Sequence, residues 1–386
     1  IGGDRFLYLP SSYGAASDSG VNKYNFGLAS NPYTSLMIVE NKIGNPDLTW
    51  EKAKKMNVGV DINLFNNCLT ASFDIFKEKR NNILANRSTS PMIIGANLPA
   101  YNFGEMENRG WDMDLTFRHH FHYWARFNYS FARNEIIYMD EVQKRYDYQM
   151  TTGRRKNQFF GLIFDGYYNS WEEINALDRP KSSWSGNQLQ PGDVKYVDVN
   201  QDGVIDDYDM VPIGYTPVPE IIYGFSFGAQ YKGFDFSILF QGADNVSIKY
   251  FGRSMWPFAK GEESAKSLIK ERWTQERYEA GEKITFPRLS LNPNGETDHN
   301  YRPSTLWIRD ASYLRLKNLE VGYTFTGGFV KRLNLNSVRL YFNGSNLFTW
   351  TDVVDLDPEA PSRSGNVEIN TYPLQKVYNI GLNINF

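Results

Sequence analysis

Apolar and polar residues alternate with a period of two along much of the chain, most clearly at its end. There the alternating sets are Tyr378, Ile380, Leu382, Ile384 and Phe386 on one side and Asn379, Gly381, Asn383 and Asn385 on the other. Because successive side chains of a β-strand point to opposite faces, this pattern predicts a strand with one apolar and one polar face. The alternation also predicts strands at 56–65, 68–78, 110–118, 123–133, 221–231, 234–241, 313–325 and 338–348, with weaker signals at 24–28 and 33–41.

The connections between these strands alternate between short and long. Short turns fall near 66–67, 119–122, 232–233 and 327–336, and long connections at 79–109, 134–219 and 243–312. Consecutive connections of an antiparallel sheet lie at opposite ends, so the short turns should share one end and the long loops the other. Outer-membrane barrels segregate their loops in this way. We therefore expect an all-β fold, a transmembrane antiparallel β-barrel whose apolar face meets lipid.

The polar face of the predicted strands carries several charged residues. They are Asp61, Asp74, Asp112, Asp114, Arg126 and Asp235. Burying unpaired charges in the dry core of a sandwich would cost a large free energy, whereas a water-filled lumen removes this cost. A closed barrel also pairs every backbone group that lies at the depth of the lipid.

Composition agrees with a barrel and excludes several other classes. Aromatic residues make up 16% of the chain, as expected for girdles of rings at two membrane interfaces. The sequence has no run of about 18 apolar residues, which excludes a transmembrane helix but not barrel strands. The net charge of −3 argues against nucleic acid as a partner. The single cysteine, Cys68, excludes an intramolecular disulfide and a cysteine-based zinc site. The first residues lack the features of a signal peptide, so we expect residues 1–386 to be the tail of a longer protein.

Several motifs resemble one family of outer-membrane proteins. Asn45–Glu51 followed by Asn57–Asp61 resembles the start of a strand in TonB-dependent outer-membrane transporters. The segments that resemble the SusC/RagA branch of that family are Arg272–Thr274, Phe286–Arg288, Trp307–Leu319, Leu340–Thr351 and Tyr372–Phe386. These motifs extend from about residue 45 to the end of the chain.

The resemblance implies a 22-stranded barrel with an N-terminal plug in its lumen. Residues 1–386 would then be the C-terminal part, about ten strands, without the plug or the N-terminal strands, and with long extracellular loops at about 134–219 and 243–312. It further implies active import of a glycan or an oligopeptide across the outer membrane. The implied partners are a SusD-like surface lipoprotein, outer-membrane lipid, and the TonB complex, which would act through the absent N-terminal part.

Two other functions remain open from the sequence. One is an outer-membrane barrel enzyme, which would need a histidine near acids of the long loops, where only His299 lies and no nucleophile motif accompanies it. The other is a soluble β-sandwich adhesin or lectin. We expect a transporter with no catalytic residues. A metal shared by the neighbouring His119, His120 and His122 is not expected, because adjacent strand residues point in opposite directions.

One acidic segment has the spacing of an EF-hand-type calcium loop. Its candidate ligands are Asp198, Asn200, Asp202, Val204 through its carbonyl, Asp206 and Asp209, with Gly203 at the position of the sharp turn. Position 12 is Asp209 instead of the usual glutamate, and no amphipathic helices flank the segment. The alternative is an aspartate-rich turn in a solvated loop. Calcium is thus the one cofactor that the sequence suggests.

Aromatic residues also concentrate in the long loops. These are Tyr167, Tyr168, Trp171, Trp184, Trp256 and Phe258. Such rings could stack on sugars or contact a lipoprotein partner, or they could pack against one another. The same loops contain one predicted helix, Glu262–Ala280, in which Ala265, Leu268, Ile269 and Trp273 have helical spacing.

Overall fold

The structure is a computed structural model. It describes residues 12–15, 23–27, 33–36, 38–42, 44–89, 98–119, 122–184, 189–250, 255–258, 267–290, 298–359, 366–367 and 374–386.

Nine long strands form a single antiparallel sheet. They are β1 (Lys52–Leu64), β2 (Leu69–Ala85), β3 (Tyr101–His119), β4 (Tyr123–Tyr138), β5 (Ile221–Tyr231), β6 (Phe234–Asp244), β7 (Tyr313–Phe325), β8 (Ser337–Thr351) and β9 (Val377–Asn385). Each strand pairs with the next one along the chain, so the sheet is a meander with β1 and β9 as its two edges. The predicted all-β antiparallel architecture is confirmed, and the wall formed by these nine strands is not closed into a barrel.

The short turns follow from residues that accept positive φ. Between β5 and β6, Lys232 has φ 48° and Gly233 has φ 88°, as in the two-residue turns that match the twist of a hairpin. Between β1 and β2, Asn66 and Asn67 have φ 56° and 64°. Asparagine tolerates this region better than most residues, so both turns hold their hairpins in register.

The cross-strand register places the alternating residues as predicted. Leu340 on β8 lies opposite Leu382 on β9, and Arg339 lies opposite Asn383, so apolar and polar residues form separate faces. On the apolar face, Ile380 is 81% and Leu382 is 56% exposed. An apolar face left open in this way is what a lipid-facing wall requires. A soluble sandwich would instead bury this face against a second sheet, so that alternative is wrong.

Some strand boundaries differ from those predicted. β3 begins at Tyr101 instead of 110, and β4 continues to Tyr138 instead of ending at 133. The backbone ladder continues there, with Glu107 opposite Glu135, although the outward positions have become charged. The apolar alternation therefore ends before the strand does.

The weak N-terminal strand signals correspond to two small ladders outside the main sheet. Lys23–Phe26 pairs with Tyr33–Leu36, and Ser12–Ala15 pairs with Ile38–Lys42. Among the residues that the structure describes, nine strands belong to the main sheet, close to the ten or so expected.

The long connections carry short elements that pack together above the sheet. The paired strands are Phe160–Gly161 with Val211–Pro212, Phe164–Tyr167 with Val194–Tyr196, Lys181–Ser182 with Val204–Ile205, and Ser247–Tyr250 with Ile308–Asp310 and Asn366–Val367. The α-helices of these connections are Trp171–Ile174 and Gln275–Glu279, and their 3₁₀-helices are Asp147–Gln149, Asp207–Asp209, Ser267–Glu271 and His299–Tyr301. A third α-helix, Phe329–Arg332, lies in the short turn between β7 and β8. In the described part of the chain, none of the helices is long and apolar enough to cross a bilayer.

One hydrophobic core joins the long loops. Its most buried members include Leu162, Val194, Met255, Phe286 and Tyr301, which come from both long connections. We call the described residues within 139–220, 245–312 and 352–359 the loop cap. Because its core is shared, the loops behave as one folded layer at the long-loop end of the sheet.

The helix predicted at Glu262–Ala280 is wrong over the residues that the structure describes, and residues 262–266 lie outside them. A 3₁₀-helix at Ser267–Glu271 and an α-helix at Gln275–Glu279 are separated by three extended residues. There the Trp273 N–H donates to the Phe286 carbonyl at 2.8 Å, and Thr274 caps the second helix. Tertiary pairing with the segment around Phe286 thus overrides the helical spacing.

Candidate functional site: the lumenal wall, its mouth and the loop cap

The polar face of the sheet is held together by ion pairs near the short-turn end. Arg339 on β8 donates from Nε to Asp235 on β6 at 2.9 Å and from Nη2 to Glu320 on β7 at 2.6 Å. All three residues line a cavity of about 760 Å³ on this face. Asp235, one of the charges predicted for the lumenal face, therefore lines an open cavity there.

Four more of the predicted lumenal charges lie on β2 to β4. Asp74 and Asp112 are directly opposite each other, and Asp114 accepts from Arg126 Nη2 at 2.6 Å. The Asp112 carboxylate also accepts from Ser130 Oγ at 2.5 Å. This part of the wall is acidic overall, with one guanidinium among three carboxylates.

Two adjoining cavities open at the long-loop end of the lumenal face. The first, of about 340 Å³, has charged residues in its lining, which include Glu78, Arg80 and Lys156. The second, of about 400 Å³, has a largely apolar lining that includes Met106, Ile136, Tyr138 and Phe160, with Lys156 at its edge. Together they form the mouth of the wall, which can contact both charged and apolar groups of a ligand.

Sequence reasoning missed the mouth. Glu78 and Arg80 lie just past the apolar alternation of β2, and Lys156 belongs to the basic run Arg154–Lys156 inside a long connection. That basic run was the available signal. Nothing in the sequence indicates that the loop folds back over the strand ends, with the Lys156 N–H donating to Asn134 Oδ1 at 2.7 Å.

A buried carboxylate joins the loop cap to the wall at Glu220, just before β5. Arg133 on β4 donates to both of its oxygens, at 2.9 and 2.8 Å, and Arg155 from the cap donates to it as well. Burial opposes ionisation of Glu220, but the two guanidinium groups outweigh it and lower the pKa of this carboxyl. The pairing fixes the start of the cap against the strand ends.

A second ionic junction fixes the other side of the cap. Arg315 on β7 is buried and binds Asp357 at 2.6 Å and also Glu359, both from the segment after β8. Glu359 also accepts from the Tyr313 hydroxyl at 2.7 Å. Burial raises the pKa of Asp357, but the Arg315 guanidinium more than offsets it and the pKa is lowered.

Polar side chains cross-link the two long loops inside the cap. Asn300 donates to Asp193 Oδ1 at 2.8 Å and accepts from the Val194 N–H at 2.9 Å. Arg288 completes the group with an ion pair to Asp193 at 2.6 Å. This network gives the buried Asp193 carboxylate partners from two other segments of the chain.

His299 is the histidine that the enzyme alternative requires, and it lies next to a serine. Its Nδ1 is 2.9 Å from Ser182 Oγ and its Nε2 is 2.7 Å from the Val194 carbonyl. A carbonyl only accepts, so Nε2 carries the proton and Nδ1 accepts from the serine. Burial lowers the pKa of His299. Both ring nitrogens thus take part in a cross-link between the loops.

The candidate calcium loop has a positive φ at Gly203, the position of the sharp turn in its motif. Gly203 has φ 82°, and its N–H donates to Asp198 Oδ2 at 2.8 Å. Asp198 Oδ1 is buried and has no hydrogen-bond partner among the described residues. An inward-facing carboxylate oxygen without a partner fits a cation ligand.

Two other members of the loop point to backbone donors instead. Asp209 is fully buried and accepts from the N–H groups of Val199 and Asp206 at 2.8 and 2.9 Å, and Asp206 caps the following 3₁₀-helix. Burial raises the pKa of Asp209. Within the described residues, no three His, Cys, Asp or Glu side chains are arranged to hold a metal ion.

The candidate contact aromatics have different environments. Tyr167, Tyr168 and Trp256 are buried, and Trp184 packs on the cap core with the Arg302 guanidinium 4.0 Å from its ring. Trp171 is 52% exposed. Phe258 is partly buried and has φ 59°. Trp171 is therefore the ring of this set that is most available to a partner.

Comparison with known proteins identifies the family. The model of the family described as TonB dependent receptor-like, beta-barrel matches residues 10–347. TonB-dependent receptor P26 of Formosa agariphila is 27% identical over 412 residues, covering 98% of this chain and 40% of that protein. TonB-dependent receptor SusC of Bacteroides thetaiotaomicron is 25% identical and covers 100% of this chain and 36% of that protein.

The fold agrees with solved structures. A structure of the RagAB peptide transporter aligns with a TM-score of 0.65 at 24% identity, over 97% of this chain and 40% of that one. Another, of the RagAB peptide importer in its open-open state, gives 0.64 at 23% identity, over 95% and 37%. The chain thus spans about two-fifths of the length of the relatives that it matches. It belongs to the TonB-dependent receptor β-barrel family of the outer membrane, and within that family it is similar to SusC and, in fold, to RagA.

Proposed function

We propose that this chain forms part of the wall of a transporter that imports a glycan or an oligopeptide, driven by TonB and assisted by a SusD-like surface lipoprotein. The observation that carries the proposal is the two-faced sheet. Its outward face is apolar and exposed, its inward face is charged, and the loop cap lies at one end only. Such a wall supplies binding and gating, and uptake needs no covalent chemistry.

The mouth favours an oligopeptide over a glycan. Its charged cavity offers Lys156, Arg80 and Glu78 to the charged groups of a peptide, and its apolar cavity offers Ile136 and Phe160 to apolar side chains. Glu78 and Arg80 already pair with each other at 2.7 Å, so Lys156, which makes no ion pair among the described residues, is the charge that a neutral sugar would leave without a partner at a cost in free energy. The exposed Trp171 on the cap is the proposed contact for the lipoprotein lid.

The test is uptake by cells that produce the complete natural protein. With labelled oligopeptides, Lys156→Glu should reduce uptake several-fold, because it reverses a charge at the mouth, and Lys181→Glu on the exposed cap surface should not. Removal of TonB should abolish uptake in every version. Uptake that persists without TonB would overturn the transport proposal, and equal uptake by the two variants would overturn the role of the mouth.

The orientation of the wall in the membrane is tested separately, by labelling cysteines from outside the cell. With Cys68→Ser as background, Leu177→Cys on the cap should react with a membrane-impermeant maleimide on whole cells, and Lys232→Cys in a short turn should not. Labelling of Lys232→Cys alone would mean that the long loops face the periplasm.

A calcium ion in the Asp198–Asp209 loop is a second proposal. The spacing, the φ of Gly203 and the unpartnered Asp198 Oδ1 support it. Asp198, Asn200 and Asp202 would hold the ion with the Val204 carbonyl, and Asp206 and Asp209 would exchange backbone partners for it. The bound ion would stiffen the cap and take no part in transport chemistry.

A further inference from the structure

A row of basic residues crosses the outward face of β2, β3 and β4. Lys77 lies directly opposite Arg109, and Arg109 lies directly opposite Arg133. In the row just below, two residues nearer the short turns, Ile75, Trp111 and Phe131 are opposite one another in the same register. The outward face therefore changes from apolar to basic over two residues along each of these strands.

Three cations side by side on neighbouring strands repel one another. The acids nearby compensate only in part, because Lys77 pairs with Glu107 at 2.8 Å while Arg109 is 3.9 Å from Glu135. Lys77 and Arg109 remain 53% and 58% exposed, so their charges are open to a ligand from outside. The Arg133 guanidinium is already paired with Glu220, as described above.

More cations surround the row. Lys79 and Lys54 face outward in the next row, which continues through Glu107 and Glu135, and Lys79 pairs with Glu105 at 2.9 Å. Arg154 of the loop cap lines a cavity of about 380 Å³ together with Arg109 and Arg133. Among the described residues, neither Lys54 nor Arg154 makes an ion pair. The outward surface at this height therefore carries an excess of positive charge.

We propose that this basic row binds the phosphate groups of anionic lipid in the outer leaflet. The row lies where the apolar band ends on the long-loop side, which is the level of the headgroups, and the Arg133 guanidinium lies 5.5 Å from the Phe131 ring. A lipid headgroup reaches the cations while its chains cover the rings beneath, which neither free phosphate nor an acidic protein can do. Guanidinium groups suit phosphate because they donate two parallel hydrogen bonds.

The experiment uses the complete natural protein in a non-ionic detergent. Native mass spectrometry would measure binding of lipid A with both phosphates, of dephosphorylated lipid A, and of inorganic phosphate. The test variant is Lys77→Gln with Arg109→Gln. The charge-matched control is Lys55→Gln with Arg126→Gln, which removes two cations from the lumenal face, where they pair with Glu78 at 3.4 Å and Asp114 at 2.6 Å.

The test variant should bind phosphorylated lipid A about twenty-five-fold more weakly, since each basic residue near an anionic lipid surface contributes roughly fivefold. The control should bind like the unaltered protein, and dephosphorylated lipid A should bind the unaltered protein weakly. Where the double variant does not fold, Arg109→Gln alone should weaken binding about fivefold.

Three outcomes would overturn the proposal. They are full affinity in the test variant, an equal loss in the control, and displacement of the lipid by millimolar inorganic phosphate, which would mark a site for the free anion. The inference rests on the proposed orientation of the long loops but not on transport. Lipid affinity is measured without substrate, so failure of the uptake test leaves this result unchanged.

Discussion

Single residues decide how the loop cap is attached to the wall. Glu220 is only 4% exposed, and it is bound by Arg133, Arg155 and the Asn245 amide. A buried charge is tolerated when every oxygen has a partner, and removal of one partner leaves the others uncompensated. The stability of this junction therefore depends on one carboxylate that serves two strands and a loop.

Glu220→Gln should destabilise the complete protein by about 3 kcal/mol, because it leaves two guanidinium groups facing a neutral amide. Thermal unfolding in detergent would measure the loss. The matched control is Glu135→Gln, whose partner Arg109 is 3.9 Å away and exposed, and which should cost less than about 1 kcal/mol. Equal losses in the two variants would contradict a special role for the buried pair.

His299 gives the cap a dependence on pH. The folded protein keeps this ring neutral because burial lowers its pKa, whereas the ordinary value is 6.5. Below pH 6.5 the unfolded cap binds more protons than the folded cap. The stability of the folded cap is therefore complete above pH 6.5 and falls as the pH drops through 6.5. The limit is about 1.4 kcal/mol per pH unit.

Hydrogen exchange of residues 189–196 and 298–301, corrected for intrinsic rates, should show less protection at pH 5.5 than at pH 7.5. In His299→Gln this pH effect should be lost, although the cap is less stable at both values. A decline of the same size in wild type and variant would place the effect on another group.

Among the elements, the strands and tight turns were predictable and the loop cap was not. The alternation at 221–231 and at 313–325 predicts β5 and β7 with the bounds that the structure gives them. Strand ends such as Tyr101 and Tyr138 were missed because charged outward residues hide a ladder that backbone hydrogen bonds continue. The helix predicted around Trp273 failed because a distant partner, Phe286, takes its backbone N–H.

Calcium binding by the Asp198–Asp209 loop would affect the loop cap as a whole. Calcium should slow proteolysis within residues 134–219, since cross-linking Asp198, Asn200 and Asp202 through one ion restrains the loop. Asp202→Ala should abolish that protection. Asp207→Ala, whose side chain is 74% exposed and outside the ligand set, should keep it. Equal digestion with calcium and with chelator would contradict calcium binding by this loop.

At the scale of the whole molecule, the sheet is a wall with one face for lipid and the other for water. Within the described part of the chain, the edges at β1 and β9 have backbone groups without partners, which a lipid bilayer does not tolerate. The remaining strands of a complete barrel would pair these edges. Two residues that are neighbours along one strand meet different solvents, because their side chains point to opposite faces of the wall.

Ile238 and Ser237 test this directly, because they are neighbours on β6 with opposite faces. Ile238→Arg should cost about 2–4 kcal/mol near the middle of the bilayer and reduce the yield of folded protein in the outer membrane. Ser237→Arg faces the lumenal cavity and should be tolerated. Heat-modifiable mobility on gels would score folding. A larger loss for Ser237→Arg would mean that the two faces are assigned the wrong way round.

The sequence by itself determined the two faces of the wall, because a period of two leaves each residue only one side to occupy. It also determined the tight turns, through residues that accept positive φ, and the segregation of short and long connections. Only the tertiary structure decided which loop aromatics are buried, how Glu220 and Arg315 attach the cap, and that Lys77, Arg109 and Arg133 form one row. These features depend on register and on contacts between residues far apart in the chain, which no local pattern encodes.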